Sequence, residues 1–260
     1  MQRRWVWKVG IAVRLGFIGT GNITAAMVEG LGGGVVLSPR GAAMAADLAR
    51  RFPGVTVAES NQAVVEQCDM VVLAIRPQVA EEVVRGLRFR AGQKVLSLVA
   101  ATPVEVIRGW IGLDLPVIRA IPLPFVADRR RVTPIIPPDP EVAALFDRLG
   151  QAVECRTQEE FDLLAVGSAL MGSYFGLLEV AQDWLVERGL PEAAAKDYMA
   201  GLFANLGREA EGSGKSFGAL RDEYSTHGGL NEQVFRVFGE EGGVAALRGA
   251  LGQVLERVRG

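Results

Sequence analysis

The chain has 260 residues, of which 49% are hydrophobic and 22% are charged, and its formal net charge is −2 at pH 7. A chain of this length can bury a substantial core in one or two domains, and its near-balanced charge argues against a nucleic-acid-binding surface. With two cysteines and one histidine, it offers neither a disulfide framework nor a metal site built on several histidines. We therefore expect no bound metal, two reduced thiols and a cytoplasmic location.

Residues 1–13 are basic and aromatic, and the apolar stretch that follows Arg3-Arg4 is too short and too interrupted for a signal peptide. We expect this segment to be a loose leader ahead of the first strand. In the rest of the sequence no apolar run is expected to approach the length of a membrane span, so no membrane association is predicted.

Short runs rich in Val, Ile and Leu alternate with helical patterns from residue 14 to about residue 155. Apolar runs without strict alternation are typical of strands covered on both faces, and strand–helix alternation predicts right-handed crossovers and a parallel sheet. The predicted strands are 14–18, 34–37, 55–57, 70–75, 94–99 and 117–121. The predicted helices between them are 22–31, 42–52, 61–67, 77–89 and 103–110. Proline-containing runs at 122–124 and 134–140 are expected to mark the far edge of the sheet.

After residue 155 the pattern becomes wholly helical. Thr157 and Glu160 form a predicted capping box at the start of a long helix over 161–188. Gly189 ends that helix, and Pro191 opens the next one, which extends to residue 211. Further helices are predicted at 217–224, 230–238 and 244–258. We therefore predict three segments: the leader (1–13), a Rossmann-like α/β domain with a doubly wound, mostly parallel sheet (14–155), and an all-helical C-terminal dimerisation domain that also binds substrate (156–260).

The helical segment 161–185 is apolar over much of its circumference. A helix of this kind is usually buried on several sides, and the remaining helices do not suffice to cover it. We expect a homodimer with interleaved helices, with further assembly of dimers left open. The alternative is a monomer in which this helix packs on the sheet domain.

The first predicted strand ends in a Gly-x-Gly turn at Gly19 and Gly21, and an alanine-rich helical pattern begins directly after it. A dinucleotide phosphate site needs this strand–turn–helix context. Gly19 permits the tight turn, and Gly21 lets the backbone approach a pyrophosphate at the helix N-terminus. Thr24 replaces the third glycine of the usual fingerprint. The sequence therefore predicts a dinucleotide site at this turn.

The second predicted strand is followed by Ser38 and Arg40, where NAD-binding folds place an acidic residue for the ribose 2′-hydroxyl. A hydroxyl and a guanidinium would bind a 2′-phosphate, whereas a carboxylate would repel it. We therefore predict NADP(H) as the preferred cofactor and NAD(H) as the second choice. The alternative is an ordinary polar turn with a solvated arginine.

Several short motifs follow one another in a characteristic order: Gly19-Thr20-Gly21-Asn22-Ile23-Thr24, Asn61 at the start of a helix, Ala74-Ile75-Arg76-Pro77-Gln78, Ser97-Leu98-Val99-Ala100-Ala101-Thr102, and Gly228-Gly229 before the last helices. In this order they resemble the pyrroline-5-carboxylate reductase family, whose phosphate loop reads Gly-x-Gly-Asn-Met-Ala and whose fourth strand ends in Ala-Val-Lys-Pro-Gln. The resemblance implies a reaction in which NAD(P)H gives a hydride to the C=N carbon of a cyclic imino acid, forming proline.

The resemblance also implies which residues contact the cofactor. The matching positions are Gly19, Thr20, Gly21, Asn22 and Ile23 at the phosphates, Ser38 and Arg40 at the 2′-phosphate, Asn61 near the adenosine, and Ala74, Ile75, Arg76 and Pro77 with Val99 and Ala100 beside the nicotinamide half. Arg76 stands where the family has lysine, which keeps the charge but changes the hydrogen-bond geometry.

Departures from the family pattern gather on the substrate side. Ile121-Pro122-Leu123-Pro124 replaces the family's Met-Pro-Asn-Thr-Pro loop, and Thr226-His227-Gly228-Gly229-Leu230-Asn231 replaces its Ser-Pro-Gly-Gly-x-Thr loop. The family holds the substrate carboxylate with the backbone and threonine of the second loop. Here we expect backbone N–H groups and the Asn231 amide to bind it. No catalytic residue is predicted, and the candidate pocket residues are Asn231, His227, Ser168, Ser173, Tyr174, Gly229 and Leu230.

Two other functions stay open. A related oxidoreductase would act on a different imine or on a keto or hydroxy acid, because a site that loses the polar groups matching its substrate rejects that substrate. The 3-hydroxyacid dehydrogenases share the two-domain plan, but they carry a lysine and an asparagine one helical turn apart that the segment 167–179 lacks. A non-catalytic dinucleotide sensor would keep the fold and lose the chemistry.

Overall fold

The computed structural model describes residues 13–130 and 132–259. The chain divides into two compact units: the first extends to Ala165 and includes Val258 and Arg259, and the second is Val166–Arg257. The sequence boundary after residue 155 falls at the end of the last strand, whereas the two units separate within the helix that follows. The predicted leader, apart from Val13, lies outside the described residues.

The first unit contains a sheet of eight strands, and helices connect most of them. The strands are β1 (Leu15–Ile18), β2 (Val36–Leu37), β3 (Thr56–Val57), β4 (Met70–Leu73), β5 (Lys94–Ser97), β6 (Val117–Ala120), β7 (Val132–Ile136) and β8 (Gln151–Glu154). The helices up to the last strand are α1 (Asn22–Leu31), α2 (Ala42–Arg51), α3 (Asn61–Gln67), α4 (Pro77–Arg85), α5 (Val104–Ile111) and α6 (Pro140–Asp147), with a 3-10 helix at Pro124–Asp128. After the sheet follow α7 (Gln158–Ser168), α8 (Leu170–Val186), α9 (Glu192–Gly212), α10 (Phe217–Tyr224), α11 (Leu230–Glu240) and α12 (Gly243–Arg259).

The strand order β3-β2-β1-β4-β5-β6-β7-β8 carries the chain outward in opposite directions from the β1–β4 pair. Neighbouring strands are parallel except for β6 and β7. One apolar cluster, around Phe17 and Phe146, and a second, around Val71 and Ile107, form the core on the sheet. The predicted doubly wound, mostly parallel sheet followed by a helical region is confirmed, and its topological switch point lies between β1 and β4.

The expectation that the proline run 134–140 marks the edge of the sheet is wrong, because Pro134 lies inside β7 and both β7 and β8 follow β6 in the sheet. Proline has no N–H to donate, but the Pro134 carbonyl accepts a hydrogen bond from the N–H of Ile121 (3.1 Å), just past the end of β6. The missing donor therefore falls where the pairing with β6 ends, which is a position that proline tolerates.

The capping box predicted for the helical region is confirmed. Thr157 Oγ1 accepts a hydrogen bond from the N–H of Glu160 (3.2 Å), and Glu160 Oε2 accepts one from the N–H of Thr157 (3.2 Å). The single helix predicted over 161–188 is wrong, because α7 ends at Ser168 and α8 begins two residues later. At the junction the N–H of Ala169 donates to the carbonyl of Val166 (3.0 Å), three residues back, which is the tighter 3-10 pattern.

The helices after the sheet expose much apolar surface. α8, α11 and α12 contain no buried residue, and Phe175, Val180 and Leu230 are 63%, 68% and 80% exposed. Within the part of the chain that the structure describes, one helical stretch, Gln158–Val186, is long and apolar enough to cross a membrane by length and composition. The expectation that no apolar run has this length is therefore wrong for this stretch, in which an 18-residue window has a mean hydropathy of 1.6. Apolar surface of this extent indicates that another molecule covers it.

Two helical glycines test the packing of the first unit. A Cβ at Gly30 would lie 2.2 Å from the carbonyl oxygen of Val126, where the 3-10 helix packs on α1, whereas a Cβ at Gly109 meets nothing within 4 Å. We expect Gly30→Ala to lower the free energy of unfolding by about 1–3 kcal/mol through overpacking. Gly109→Ala should raise it by about 0.5–1 kcal/mol through helix propensity. Urea denaturation measures both changes, and equal stability of the two variants would contradict the packing.

Candidate dinucleotide-binding site

The turn after β1 lies at the switch point and closely contacts the residue that follows β4. Gly19 has φ +100°, and a Cβ at this position would lie 2.3 Å from the carbonyl oxygen of Ala74. The N–H of Ala74 in turn donates to the carbonyl of Ile18 (2.9 Å). Both the left-handed backbone and the close approach of the two chains therefore require glycine at position 19.

Three buried hydroxyl groups hold this turn in place. The N–H of Gly19 donates to Ser38 Oγ (2.9 Å), and Thr24 Oγ1 donates to the carbonyl of Gly19 (2.7 Å). Thr20 Oγ1 donates to the carbonyl of Ser38 (3.1 Å). Because these groups are satisfied within the chain, the turn is formed before any ligand binds, which reduces the ordering cost of binding.

The position of Ser38 differs from the sequence expectation. Ser38 is predicted at a 2′-phosphate, but its side chain is fully buried and its oxygen already binds the N–H of Gly19. The register that pairs Phe17 with Leu37 places the following serine beneath the phosphate turn. Ser38 is thus a positioning residue for the turn. Thr24, which replaces the third glycine, also positions the turn, through its hydrogen bond to the carbonyl of Gly19.

The N-terminus of α1 faces open space beside this turn. Gly21 is the N-cap residue, no side chain caps the helix, and its first turn has no acidic residue. A Cβ at Gly21 would meet nothing within 4 Å, and Gly21 and Asn22 are exposed. The uncapped N–H groups and the helix dipole together favour an anion at this point. The residues present therefore fit a pyrophosphate.

The other predicted cofactor contacts follow the carboxyl ends of neighbouring strands, so the sheet gathers them at one edge. Arg40 is exposed after β2, and Asn61 is the first residue of α3, which Ser60 caps through a hydrogen bond from the N–H of Ala63. After β4, Ala74 and Ile75 are half-buried and Arg76 and Pro77 are exposed; after β5, Val99 is buried and Ala100 is exposed.

The loop after β5 carries a strained residue that the sequence did not reveal. Ala101 has φ +48°, a left-handed conformation that is unfavourable for a residue with a Cβ. Hydrogen bonds hold the loop on both sides of it: Ser97 Oγ accepts from the N–H of Val99 (3.2 Å), and Thr102 Oγ1 donates to the carbonyl of Ala100 (3.0 Å). Strain of this kind is often found at functional sites.

The candidate pocket residues of the helical region fall into two groups. Ser168 ends α7, and Ser173 and Tyr174 lie on the exposed surface of α8. The Tyr174 ring packs edge-on against the rings of Phe175 and Phe203, at centroid distances of 5.2 and 5.8 Å. These contacts give Tyr174 a packing role between α8 and α9.

The second group forms the loop before α11. Gly229 is the N-cap residue, followed in the helix by Leu230, which is exposed, and by Asn231, whose side-chain amide donates to the carbonyl of Tyr224 (2.7 Å). His227 is fully exposed. Asn231 therefore uses one of its two amide N–H groups within the loop, which leaves the other for a ligand.

Glu232 was missed by the sequence analysis. Its carboxylate accepts a hydrogen bond from the N–H of Gly228 (2.5 Å) and lies 3.5 Å from His227 Nδ1. An acidic residue in the first turn, three positions after a glycine N-cap, is the signal that points to this arrangement.

Burial sets the titration of the few reactive groups. It raises the pKa of the Cys68 thiol to about 12 and also raises the pKa of Cys155, so neither is a thiolate at neutral pH. Burial lowers the pKa of the Arg119 guanidinium, an effect that Asp162 opposes, and this guanidinium stacks on Phe161 at 4.8 Å.

Among residues 13–130 and 132–259, no group of three His, Cys, Asp or Glu side chains is placed to hold a metal ion.

Two family models match the chain. Residues 14–101 match "NADP oxidoreductase coenzyme F420-dependent", and residues 161–260 match "Pyrroline-5-carboxylate reductase dimerisation". The pyrroline-5-carboxylate reductases of Pseudomonas aeruginosa and Escherichia coli are 26% and 28% identical to it over 260 and 261 residues. These alignments cover 94% of this chain, and 95% and 96% of the two relatives.

Solved structures share the fold. The 1-pyrroline-5-carboxylate reductase of Streptococcus pyogenes superposes with a TM-score of 0.83 at 22% identity, covering 95% of this chain and 98% of that one. The pyrroline carboxylate reductase of Plasmodium falciparum with NADP bound gives a TM-score of 0.79 at 15% identity, with coverages of 95% and 97%.

The doubly wound sheet, the anion cradle at its switch point and the helices that follow define a two-domain oxidoreductase built on a nucleotide-binding fold. Within that class, the chain is similar to the pyrroline-5-carboxylate reductases, the family that the order of its motifs resembles, and residues 161–260 match the dimerisation model of that family.

Gly19 and Gly21 should respond differently to the same substitution. Gly19→Ala forces a Cβ against the Ala74 carbonyl, so we expect a loss of about 2 kcal/mol or more in the free energy of unfolding. Gly21→Ala places its Cβ in open space, so we expect unchanged folding and weaker dinucleotide binding, because the methyl group occupies the approach of the pyrophosphate. Urea denaturation and NADPH fluorescence titration separate the two effects. Unchanged NADPH affinity in Gly21→Ala would contradict the proposed cradle.

Proposed function

We propose that this chain is an NADPH-dependent reductase that transfers a hydride to the C=N carbon of a cyclic imino acid, converting pyrroline-5-carboxylate to proline. The observation that carries the proposal is the phosphate cradle, in which Gly19 is fixed by Ser38 and Thr24 while the start of α1 is left open to an anion. The curated relatives that align with 94% of the chain are named for this reaction.

In this proposal the main chain at Gly21, Asn22 and Ile23 binds the pyrophosphate, and Arg40 binds the 2′-phosphate. Arg40 is exposed, and no carboxylate stands in the turn after β2 to repel that group. NADP(H) is therefore the proposed cofactor, with NAD(H) bound more weakly. The Plasmodium falciparum structure in the comparison has NADP bound. When bound, the reduced nicotinamide supplies the hydride.

The residues proposed beside the nicotinamide half shape the site rather than exchange protons. Ala74, Ile75 and Val99 are apolar and at least half-buried, so they can exclude water from one side of the ring. An imine that binds as the iminium ion is already electrophilic at carbon, so a strong general acid is not required. This chemistry suits a chain with a single histidine.

For the substrate carboxylate we propose the start of α11. The backbone N–H groups of Leu230 and Asn231 lie in the first turn of that helix, and Gly229 offers no capping side chain. The remaining N–H of the Asn231 amide is a further donor. His227, Ser168, Ser173 and Tyr174 stay candidate pocket residues.

A different imine is the second candidate substrate, and the loop after β6 favours it. Ile121, Pro122 and Leu123 are half-buried, Phe125 is 44% exposed, and none of them offers the polar side chains of the family loop. A site without those polar groups discriminates weakly in favour of a polar substrate and accepts a more apolar one.

The decisive assay is NADPH oxidation, first with pyrroline-5-carboxylate and then with a panel of cyclic imines, keto acids and hydroxy acids. We expect turnover with pyrroline-5-carboxylate at the highest kcat/KM of the panel. A higher kcat/KM with another imine would show that this imine, not pyrroline-5-carboxylate, is the preferred substrate. Tight NADPH binding without any turnover would indicate a dinucleotide sensor.

Arg40 provides a test of the cofactor preference. Arg40→Ala removes a charge-assisted hydrogen bond to the 2′-phosphate, so we expect the Kd of NADPH to rise about tenfold or more while that of NADH changes less than about twofold. Arg50→Ala is the matched control, because Arg50 is also exposed on the first unit but pairs with Asp47. An equal loss of NADPH and NADH affinity in Arg40→Ala would remove Arg40 from the 2′-phosphate site.

We also propose a homodimer that is held by the helical region, with 14–155 as the dinucleotide-binding domain and 156–260 as the substrate and dimerisation domain. The apolar face of α8, with Phe175, Leu177 and Val180 exposed, supports this proposal, since a second copy would cover it. Covering by a second copy rather than by lipid fits a cytoplasmic enzyme without membrane or nucleic-acid partners. Whether dimers assemble further is an outcome of the same measurement.

Val180 tests the proposed interface. We expect Val180→Asp to convert the dimer to a monomer, because the substitution buries an unpaired carboxylate in an apolar interface. The control is Val57→Asp. Val57 is 43% exposed, compared with 68% for Val180, but it lies on β3 of the sheet. Sedimentation velocity at micromolar concentration measures both variants and the parent chain. A parent chain that sediments as a monomer would refute the dimer.

A further inference from the structure

An acidic side chain of α11 lies at the N-terminus of that helix, beside the preceding loop. Glu232 is the third residue of α11, and its carboxylate reaches back to the N–H of Gly228 (2.5 Å). The negative charge therefore lies at the N-terminus of α11, where the proposed function would place the substrate carboxylate.

A neutral amide oxygen would accept the same hydrogen bond from Gly228, so the capping geometry does not require a charge at position 232. The Glu232 carboxylate lies 3.5 Å from Nδ1 of His227, whose side chain is fully exposed and is charged only when protonated. By contrast, Glu240 at the other end of α11 is paired with Arg236 at 2.7 Å. The charge of Glu232 is thus available to act on a ligand.

We infer that Glu232 is a specificity-determining residue: its carboxylate competes with the carboxylate of the substrate for the start of α11. The inference rests on the proposed function, which assigns that helix end to the substrate. Bringing a second carboxylate to the same helix end requires Glu232 to move away or to remain close to a like charge. Either event weakens the binding of anionic ligands and leaves neutral-headed ligands unaffected.

The test uses a ligand pair that differs only at the carboxyl group. L-proline carries a carboxylate and L-prolinamide carries a neutral amide, and calorimetric titration in the presence of saturating NADP+ gives the Kd of each without turnover. In Glu232→Gln we expect the Kd of L-proline to fall on the order of tenfold and that of L-prolinamide to change less than about twofold. Glu240→Gln removes the same charge from the same helix and should change neither value.

A second measurement uses the unaltered chain. Repulsion from Glu232 is screened by salt, so its L-proline affinity should rise between about 50 and 500 mM KCl while its L-prolinamide affinity does not. If Glu232 only caps α11, Glu232→Gln should change the midpoint of thermal unfolding. The difference between the affinities for L-proline and L-prolinamide should then change neither in the variant nor with salt.

The outcomes separate this inference from the proposed function. Lack of turnover with pyrroline-5-carboxylate in the unaltered chain defeats the proposed function, whatever the titrations give. The role of Glu232 is overturned if Glu232→Gln binds both ligands as the unaltered chain does, or if L-proline binds to neither protein. Weaker binding of both ligands to Glu232→Gln would also overturn it, because the carboxylate would then face the ring nitrogen.

Discussion

The contact on which the site depends is the approach of the main chain at Gly19 to the carbonyl of Ala74. A Cβ at position 19 would lie 2.3 Å from that oxygen, and the glycine has φ +100°. Its N–H donates to Ser38 Oγ and its carbonyl accepts from Thr24 Oγ1, so both backbone polar groups of this residue are satisfied within the chain. The start of α1 and its uncapped N–H groups are positioned by this one turn. The cradle is therefore a property of the fold that exists before a ligand arrives.

The centre of the sheet could be predicted from sequence because its strands are continuous apolar runs. β1 and β4 are buried on both faces, and the runs at 15–18 and 70–73 are apolar without the alternation of a half-exposed strand. The far side of the sheet could not be predicted by the same reasoning. Pro134 is locally a strand-breaking residue, and only its contact with Ile121, just past the end of β6, shows that its missing N–H falls where the pairing ends.

The site shows the same division between local and long-range information. Gly19 and Gly21 were predicted because the demand for glycine is local to the turn. The burial of Ser38 depends on the register of β1 with β2, which no local pattern contains. Glu232 was not predicted because it lies one residue past the segment that resembles the family loop, although its carboxylate accepts a hydrogen bond from the N–H of Gly228. The contacts that the family resemblance implies on the cofactor side depend largely on backbone geometry, whereas those on the substrate side depend on side chains that differ from the family pattern, so both sets stay predictions.

In the proposed function the main chain from Gly21 to Ile23, positioned by the turn at Gly19, binds the diphosphate of a pyridine nucleotide, and Arg40 sets the preference for a 2′-phosphate. Isothermal titration of the unaltered chain with NADPH and with NADH tests it most directly. We expect one nucleotide bound per chain and a lower Kd for NADPH than for NADH. An absence of heat with both nucleotides would contradict the account, and the proposed reductase activity would fall with it.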